Sequence, residues 1–231
     1  MEVDRDELLR VLRAFETTGL EYVLIGATAM GLHGVVRATE DVDLFVRATP
    51  ENIERLRAAL RGAYDGDPHV DEIGTEDLLG DYPAVRYYPP SGDIYFDVMT
   101  RLGEAASFDT VEAEVKEIDG IRVRVATPAA LYRLKKGTVR PLDRQDAEAI
   151  PPALRLEGRR VAMSVQRFRS IEEMNAANRP ANASDGFERF LRHCARYWKM
   201  APRSYPRGVV KFRTLEEAQA ARERVYRPPQ S

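Results

Sequence analysis

The sequence is poor in the residues that build disulfides and metal sites with nitrogen or sulfur ligands. Its 231 residues include a single cysteine, Cys194, and three histidines scattered along the chain. One cysteine excludes an internal disulfide and any cysteine-rich zinc site. Three scattered histidines argue against a metal site built from imidazole groups. Neither kind of site is therefore expected.

The chain also lacks long apolar segments. No apolar run approaches the roughly 20 residues of a membrane-spanning helix, and the first ten residues, MEVDRDELLR, are charged and contain no apolar signal core. We therefore expect no secretion signal and a location in the cytoplasm of a bacterium. Hydrophobic residues make up 44% of the chain and charged residues 31%, which is typical of a soluble globular protein. The length suits one medium-sized domain with an appendage.

The net charge of −2 conceals an uneven distribution. Residues 1–162 contain 21 lysines and arginines against 30 aspartates and glutamates, a net charge of −9. Residues 163–231 contain 14 against 7, a net charge of +7. A split of this kind predicts either that the two parts dock on each other or that the basic part faces a nucleic acid.

The stretch from Tyr22 to Val46 carries the strongest chemical signal. An apolar run and a glycine are followed, after a polar loop, by Asp41-Val42-Asp43 at the head of a second apolar run. Residues two apart on a strand project from the same face, so Asp41 and Asp43 would project together, about 6.6 Å apart along the backbone. Their carboxylates would repel each other without a cation between them. Mg²⁺ binds such oxygens and brings nucleotide phosphates with it. Taken alone, such a pair is more often a solvated strand end.

Three neighbouring features favour a functional site. Gly26 follows a predicted strand and opens a predicted helix, whose free N–H groups can hold phosphate. Arg37 precedes the aspartate pair and can neutralise phosphate charge. Asp97 lies between two apolar residues of another strand-like segment, where an ionised carboxylate is costly unless it is paired or bound to a metal. Asp97 is therefore predicted as the third carboxylate, and Asp93 as a turn residue.

These residues form a pattern that resembles a known family. The resemblance is to the AbiEii-like nucleotidyltransferases of the polymerase-β-type superfamily, many of which are toxins of bacterial toxin–antitoxin pairs. It rests on the pattern Gly26-Ala27-x-Ala29-x-x-x-His33-Gly34-x-x-Arg37-x-Thr39-x-Asp41-x-Asp43-Leu44 and extends over residues 22–150. It implies a metal-dependent enzyme with two Mg²⁺ ions and an NTP as substrate.

The resemblance also implies roles for individual residues. Asp41 and Asp43 would hold two Mg²⁺ ions, and Asp97 would complete one metal site and orient or deprotonate the acceptor hydroxyl. The family usually has Gly-Ser or Gly-Gly where this chain has Gly26-Ala27, so that Thr28 would supply a hydroxyl one position later. The residues that would position the triphosphate are Gly26, Ala27, Thr28, Arg37, Arg140 and a lysine of the pair Lys135 and Lys136.

The remaining patterns predict an α/β fold, in which helices flank a mixed sheet that carries the three aspartates at one edge. Hairpins are predicted around the turns Pro89–Gly92 and Asp119-Gly120. The predicted strands are Tyr22–Ile25, Val42–Val46, Ala84–Tyr88, Ile94–Met99, Val111–Ile118 and Ile121–Ala126. The predicted helices include those that contain Leu8–Phe15, Thr28–Leu32, Ile53–Leu60, Glu76–Leu79, Ala129–Lys136 and Phe187–Trp198.

A duplicated segment follows the region of resemblance. Residues 167–177, RFRSIEEMNAA, and 211–221, KFRTLEEAQAA, are identical at six of eleven positions. Each contains a capping box after an extended basic segment, which predicts that a helix begins there. We therefore divide the chain into a nucleotidyltransferase domain at 1–150, a linker at 151–162 and a basic C-terminal module at 163–231. This module is more loosely similar to small antitoxin-like proteins, and Met163 resembles the start of a separate protein.

The predicted reaction is the transfer of a nucleoside monophosphate from an NTP to a hydroxyl of RNA, such as a tRNA, or of a protein. The first alternative is a non-catalytic protein that binds nucleotide or RNA. The second alternative is an enzyme that modifies aminoglycosides by the same chemistry. Because opposite charge would steer the C-terminal module, we also predict that residues 163–231 dock on residues 1–162 and restrain the site.

Overall fold

The elements described here come from a computed structural model. It describes residues 5–80, 84–90, 94–102, 106–136, 138, 141–155, 183–200, 205–214, 216–218, 220 and 221. The helices are α1 (Arg5–Thr18), α2 (Gly26–Leu32), α3 (Pro50–Ala63), α4 (Thr75–Leu79), α5 (Pro128–Lys136), α6 (Pro141–Ala149) and α7 (Ala183–Met200). The strands are β1 (Tyr22–Leu24), β2 (Asp41–Val46), β3 (Ala84–Tyr88), β4 (Tyr95–Met99), β5 (Arg101–Leu102), β6 (Ala106–Ser107), β7 (Ala113–Ile118), β8 (Ile121–Ala126) and β9 (Gly208–Phe212).

Seven strands form one mixed sheet in the order β7-β8-β1-β2-β4-β3-β9. Strand β1 is antiparallel to β2 and parallel to β8, and β2 is parallel to β4. The two predicted hairpins, β3–β4 and β7–β8, are both antiparallel pairs. The predicted α/β fold, a mixed sheet flanked by helices, is therefore confirmed. Among the described helices, none combines the length and the apolar character that a membrane span requires.

The position of the carboxylates in the sheet differs from the prediction. They were expected at one edge, but Asp41 and Asp43 lie on β2 and Asp97 lies on the neighbouring β4, both inner strands. The difference arises because β2 pairs with β1 on its other side and β4 pairs with β3 on its other side. Strand β9 then extends the sheet beyond β3, from Ala84 opposite Phe212 to Tyr88 opposite Gly208. The strand order therefore ends at β9 on that side, two strands beyond β4.

The two faces of the sheet have different neighbours. On one face, Phe96 of β4 packs against Phe15 of α1 and against Tyr64, which follows α3, with ring centroids 6.5 and 6.2 Å apart. Side chains alternate along a strand, so Asp97 projects from the opposite face. Helix α2 lies on that second face, where Gly26 abuts the side chain of Asp43.

The described parts of the C-terminal region pack on the elements that precede them. Helix α7 buries its apolar side in the main core, and Gly31 of α2 lies so close to Phe190 that an added Cβ would be 2.6 Å from the ring. Ion pairs join Arg5 to Glu188 and Lys211 to Asp77. The predicted helix start at Thr214 is present, since its hydroxyl accepts the N–H of Glu217 at 3.1 Å.

Other predictions for the C-terminal region fall on residues outside those described. They concern the first copy of the duplicated segment at 167–177, the start-like Met163 and most of the linker at 151–162. The division into two domains therefore stays a prediction.

Candidate active site

Three carboxylates meet on one face of the inner strands. The parallel register of β2 and β4 places Asp43 directly opposite Asp97, and Asp41 lies two residues before Asp43 on the same face. One oxygen from each carboxylate lies within 4.8 Å of the other two. The residues are 6% (Asp41), 8% (Asp43) and 7% (Asp97) exposed. Three negative charges are thus held together largely away from water, an arrangement that requires compensating cations.

A buried arginine supplies one such cation. Arg86 of β3 lies opposite Asp97 in the β3–β4 ladder and is 1% exposed. Its Nε donates to Asp97 Oδ1 at 2.7 Å and its Nη2 donates to Asp97 Oδ2 at 3.1 Å. Burial acts to lower the pKa of Arg86, but the hydrogen bonds and charge of Asp97 outweigh it, so the pKa is raised. Arg86 is therefore a permanent cation that fixes both oxygens of Asp97.

The first turn of α2 closes against the same carboxylates. Gly26 has a φ of +67°, a left-handed conformation that favours glycine, and a Cβ at this position would collide with the Asp43 carboxylate. Ala27 and Thr28 are buried, and the Thr28 hydroxyl donates to the carbonyl of Asp41 at 3.2 Å. The Thr28 proton therefore ties α2 to β2, in addition to any contact its oxygen makes with phosphate.

A tyrosine from the C-terminal region covers the Asp41 end of the cluster. The Tyr205 hydroxyl donates to the carboxylate of Glu40, the residue before Asp41. Its ring stacks on Tyr88 and meets Tyr95 edge-on, with centroids 5.4 and 5.1 Å apart. Tyr95 is the register partner of Asp41 on β4, so Tyr205 lies beside the carboxylates.

The residues around β9 cover the Asp97 end. Arg86 Nη2 also donates to the carbonyl of Ala218 at 3.3 Å, and the Phe212 ring centroid lies 5.1 Å from the Arg86 Cζ atom. The guanidinium is thus enclosed between Asp97 and the C-terminal segment. Both ends of the carboxylate cluster are bordered by residues that follow position 204.

Helix α7 borders the loop that leads into β2. The buried Cys194 thiol contacts the backbone of Thr39, whose hydroxyl donates to the Asp41 carboxylate. Burial raises the pKa of Cys194 to about 11; Thr39 and the charge of Arg37 act to lower it, and the charge of Asp41 acts to raise it. Cys194 therefore lies close to both Arg37 and Asp41, and α7 packs on the segment that connects them.

A second polar cluster contains two of the predicted triphosphate residues. Lys135 Nζ donates to Asp146 Oδ2 at 2.8 Å and to Asp143 Oδ1 at 3.2 Å. Arg37 Nε lies 3.0 Å from Asp146 Oδ1 in an ion pair without a well-aligned hydrogen bond. Thr138 donates its hydroxyl to the other oxygen of Asp143 at 3.0 Å. Two cations and two carboxylates therefore balance within this cluster, which joins α5, α6 and the loop before β2.

The lysine pair is separated by the helix that carries it. Lys135 is buried within the cluster, whereas Lys136 is exposed and lies over the ring of Tyr132 with its Nζ 5.6 Å from the centroid. Adjacent residues on a helix point about 100° apart, so only one of them can face the cluster. The predicted Arg140 lies outside the described residues.

Sequence reasoning missed several members of the site. Arg86 carried a usable signal, because an arginine in the apolar strand AVRYY needs a partner. The predicted strand ends Tyr88 and Ile94 would have placed it opposite Phe96, and only the observed register places it opposite Asp97. Asp146 follows Asp143 at the spacing Asp-x-x-Asp, but its contacts with both cations could not be derived from that spacing. Tyr205 carried no signal, since its contact with Glu40 spans 165 residues.

The sequence was compared with protein families, with curated proteins and with solved structures. Residues 8–147 match the family described as nucleotidyl transferase AbiEii toxin, type IV TA system. The matched range covers more than half of the chain and contains the three carboxylates and Arg86, and it ends before α7 and β9. No curated protein and no solved structure matches the chain.

Proposed function

Because the chain belongs to the AbiEii nucleotidyltransferase toxin family, and is thus an enzyme of the nucleotidyltransferase type, we propose that it moves a nucleoside monophosphate from an NTP to a hydroxyl of RNA, such as a tRNA, or of a protein. The acceptor oxygen forms a bond to the α-phosphorus, and the bond from that phosphorus to the bridging oxygen breaks. Pyrophosphate leaves, and the hydroxyl proton passes to water. The observation that carries the proposal is the cluster of Asp41, Asp43 and Asp97 within the family match.

The donor set of this cluster fits Mg²⁺. Each carboxylate offers an oxygen within 4.8 Å of the others, and oxygen ligands are those that Mg²⁺ prefers. Asp41, Asp43 and Asp97 would hold the metal, which would supply positive charge to the phosphates and the developing leaving group. Arg86 holds both oxygens of Asp97 in one orientation. We therefore assign Asp97 to holding metal and orienting the acceptor hydroxyl rather than to removing its proton.

The second cluster is proposed to position the triphosphate. Lys135 is neutralised by two carboxylates, whereas Arg37 shares only one of them and its side chain is 28% exposed. We infer that Arg37 contacts phosphate, that Asp146 holds Arg37, and that Lys135 holds Asp146. The backbone of Gly26 and Ala27, with the Thr28 oxygen, contributes from the other side of the carboxylates. Arg140 is also proposed to contact the triphosphate, and this proposal rests on the family resemblance alone.

Label transfer tests this function. Purified protein, Mg²⁺ and each α-labelled NTP are incubated with total bacterial RNA, with total bacterial protein and with an aminoglycoside. We expect label in RNA or protein, and its loss in Asp43→Asn with an unchanged circular dichroism spectrum. Asp109→Asn, an exposed carboxylate paired with Arg47, is the matched control. Equal labelling by Asp43→Asn and wild type would refute the metal assignment.

The lysine pair supplies a second, internal comparison. Lys135→Met should raise the KM for NTP and lower kcat, because Asp146 no longer holds Arg37 in place. Lys136→Met removes the same charge one residue further along and should leave both constants near the wild-type values. If the two variants behave alike, the proposed chain of contacts through Asp146 is wrong.

The C-terminal region is proposed to restrain the enzyme, as a built-in antitoxin would. The carboxylates are less than a tenth exposed, and Tyr205, Phe212 and Ala218 border them. Deleting the whole region is not a clean test, since it removes β9 from the sheet. Tyr205→Ala instead removes one ring and one hydroxyl, and we expect faster transfer. Val115→Ala, at an exposed position of β7, is the control; unchanged or slower transfer by Tyr205→Ala would argue against restraint.

A further inference from the structure

Helix α7 has two sharply different sides. Its buried side consists of Phe187, Phe190, Leu191, Cys194 and Ala195. Its solvent side consists of four exposed residues, Arg189, Arg192, His193 and Arg196. At 100° per residue these four fall within about 100° of one another and opposite the buried side. We call them the arginine face; over two helical turns it contains no carboxylate.

The charge of the arginine face is not compensated within the described part of the chain. None of Arg189, Arg192 and Arg196 forms an ion pair with a described carboxylate, and Arg192 Nε donates only to the carbonyl of Glu188 in its own helix, at 3.3 Å. Arg47 of the same protein, by contrast, pairs with two carboxylates, those of Glu21 and Asp109. The protein as a whole is slightly acidic, and this face lies in its basic region, residues 163–231.

The helix that carries the arginine face also borders the proposed active site. On the opposite side of the same helix, Cys194 contacts the backbone of Thr39, within the segment from Arg37 to Asp41. A helix with its side chains is about 10–12 Å across. Arg196 lies about half a turn beyond Cys194 and therefore on the side of α7 that faces away from this segment. A polymer bound along this face could place one end at the carboxylates.

We propose that the arginine face binds the phosphate backbone of the acceptor RNA, an inference that rests on the proposed transfer to RNA. Guanidinium groups match phosphate geometry with two parallel hydrogen bonds. A protein partner would require an apolar or aromatic centre, and the large apolar side chain exposed on the described part of α7 is Met200 at its very end. RNA is also the acceptor that the acidic cluster repels most, so cations beside the cluster offset that repulsion.

RNA binding and its salt dependence test this assignment without relying on catalysis. The double variant Arg192→Gln/Arg196→Gln is compared with Arg13→Gln/Arg122→Gln, which removes the same charge from exposed positions of α1 and β8. Fluorescence anisotropy with a labelled single-stranded RNA that has a free 3′ hydroxyl is measured over a range of salt concentrations, with no NTP present. The α7 variant should bind at least tenfold more weakly at low salt. Its plot of log K against log salt should be shallower by about 1.4, or about 0.7 for each lost phosphate contact.

The outcomes separate this inference from the proposed function. Weakened RNA binding by the α7 variant alone supports the inference, even if no label transfer to RNA is found. If transfer to RNA occurs and the α7 variant keeps wild-type affinity and a wild-type KM for RNA, the function stands and the inference is wrong. The inference is also overturned if both double variants lose affinity equally, or if the α7 variant weakens only a complex with an acidic protein.

Discussion

Replacing Arg86 by methionine gives the sharpest test of how the carboxylate cluster is stabilised. The substitution keeps an unbranched side chain in a position that is 1% exposed but removes the cation that contacts both oxygens of Asp97. Asp97 would then face Asp41 and Asp43 without a partner. We expect a large loss of stability, and we expect metal binding to recover part of it.

The magnitude follows from the distances. At an effective dielectric of about 20, a charge pair at 2.7 Å, the Arg86–Asp97 separation, attracts by about 6 kcal/mol. Two like-charge contacts of Asp97 at 4.8 Å, the outer limit of the cluster, repel by about 3.5 kcal/mol each. One arginine therefore nearly offsets the repulsion on Asp97. After relaxation, breaking a buried pair of this kind costs about 3–5 kcal/mol, and in a chain of this length the melting temperature falls by roughly 6–20 °C.

The assay is urea unfolding of the full chain, with and without Mg²⁺. Arg86→Met should lose stability in the absence of Mg²⁺ and gain more from Mg²⁺ than the wild type does, because the ion brings charge to the same carboxylates. Arg86→Met/Asp97→Asn should recover most of the loss, since no unpaired charge remains. Arg122→Met, at an exposed position of β8, controls for loss of an arginine. A double variant no more stable than Arg86→Met would refute the electrostatic explanation.

Three further predictions concern single residues. Gly26→Ala should lower the free energy of unfolding by at least the roughly 1–2 kcal/mol that a left-handed alanine costs, and it should abolish transfer. Gly62→Ala in α3, where an added Cβ meets nothing within 4 Å, should do neither. Equal unfolding midpoints for the two variants would contradict this prediction. Burial, and after it the charge of Lys116, lower the pKa of His33. The unfolded chain therefore takes up the proton first, and the free energy of unfolding falls as pH drops below about 6.5. Parallel profiles of stability against pH for wild type and His33→Gln would contradict this prediction. Burial raises the pKa of Cys194 to about 11, so a thiol reagent should react much more slowly with the native chain than in urea, and similar rates would show that the thiol is accessible.

The sequence predicted the local elements of the site well because their signals are local. Alternation and turn residues predict β2 and both hairpins, but they do not determine the register that brings Asp97 opposite Arg86. Spacing could not decide between Lys135 and Lys136, because both choices suit an amphipathic helix equally. Only the packing of α5 on α6 turns Lys135 inward.

The C-terminal region shows where sequence reasoning ends. The segment before Thr214 was predicted to be extended and basic, which agrees with β9, but its role as a sheet strand was missed. A five-residue run such as GVVKF becomes a strand only when another strand offers a free edge, and β3 offers it from 120 residues away in the chain. Contacts of that range, including Tyr205 with Glu40, leave no periodicity to detect.

The pairing of β9 with β3 also determines how long the outer edge of β3 stays uncovered while the chain is being synthesised. The last residues of β4 and β9, Met99 and Phe212, are 113 residues apart (212 − 99), and ribosomes add about 5–20 residues per second. A nascent chain therefore contains the complete β3–β4 segment for roughly 6–23 seconds before the strand that covers it is made. During that interval β3 is an open edge, which is prone to pair with other chains. We expect a chain that ends at residue 204 to associate at concentrations where the full chain does not, as light scattering would show. Because β9 is made late, newly made chains are protected from pairing with each other through β3 only after β9 has been added.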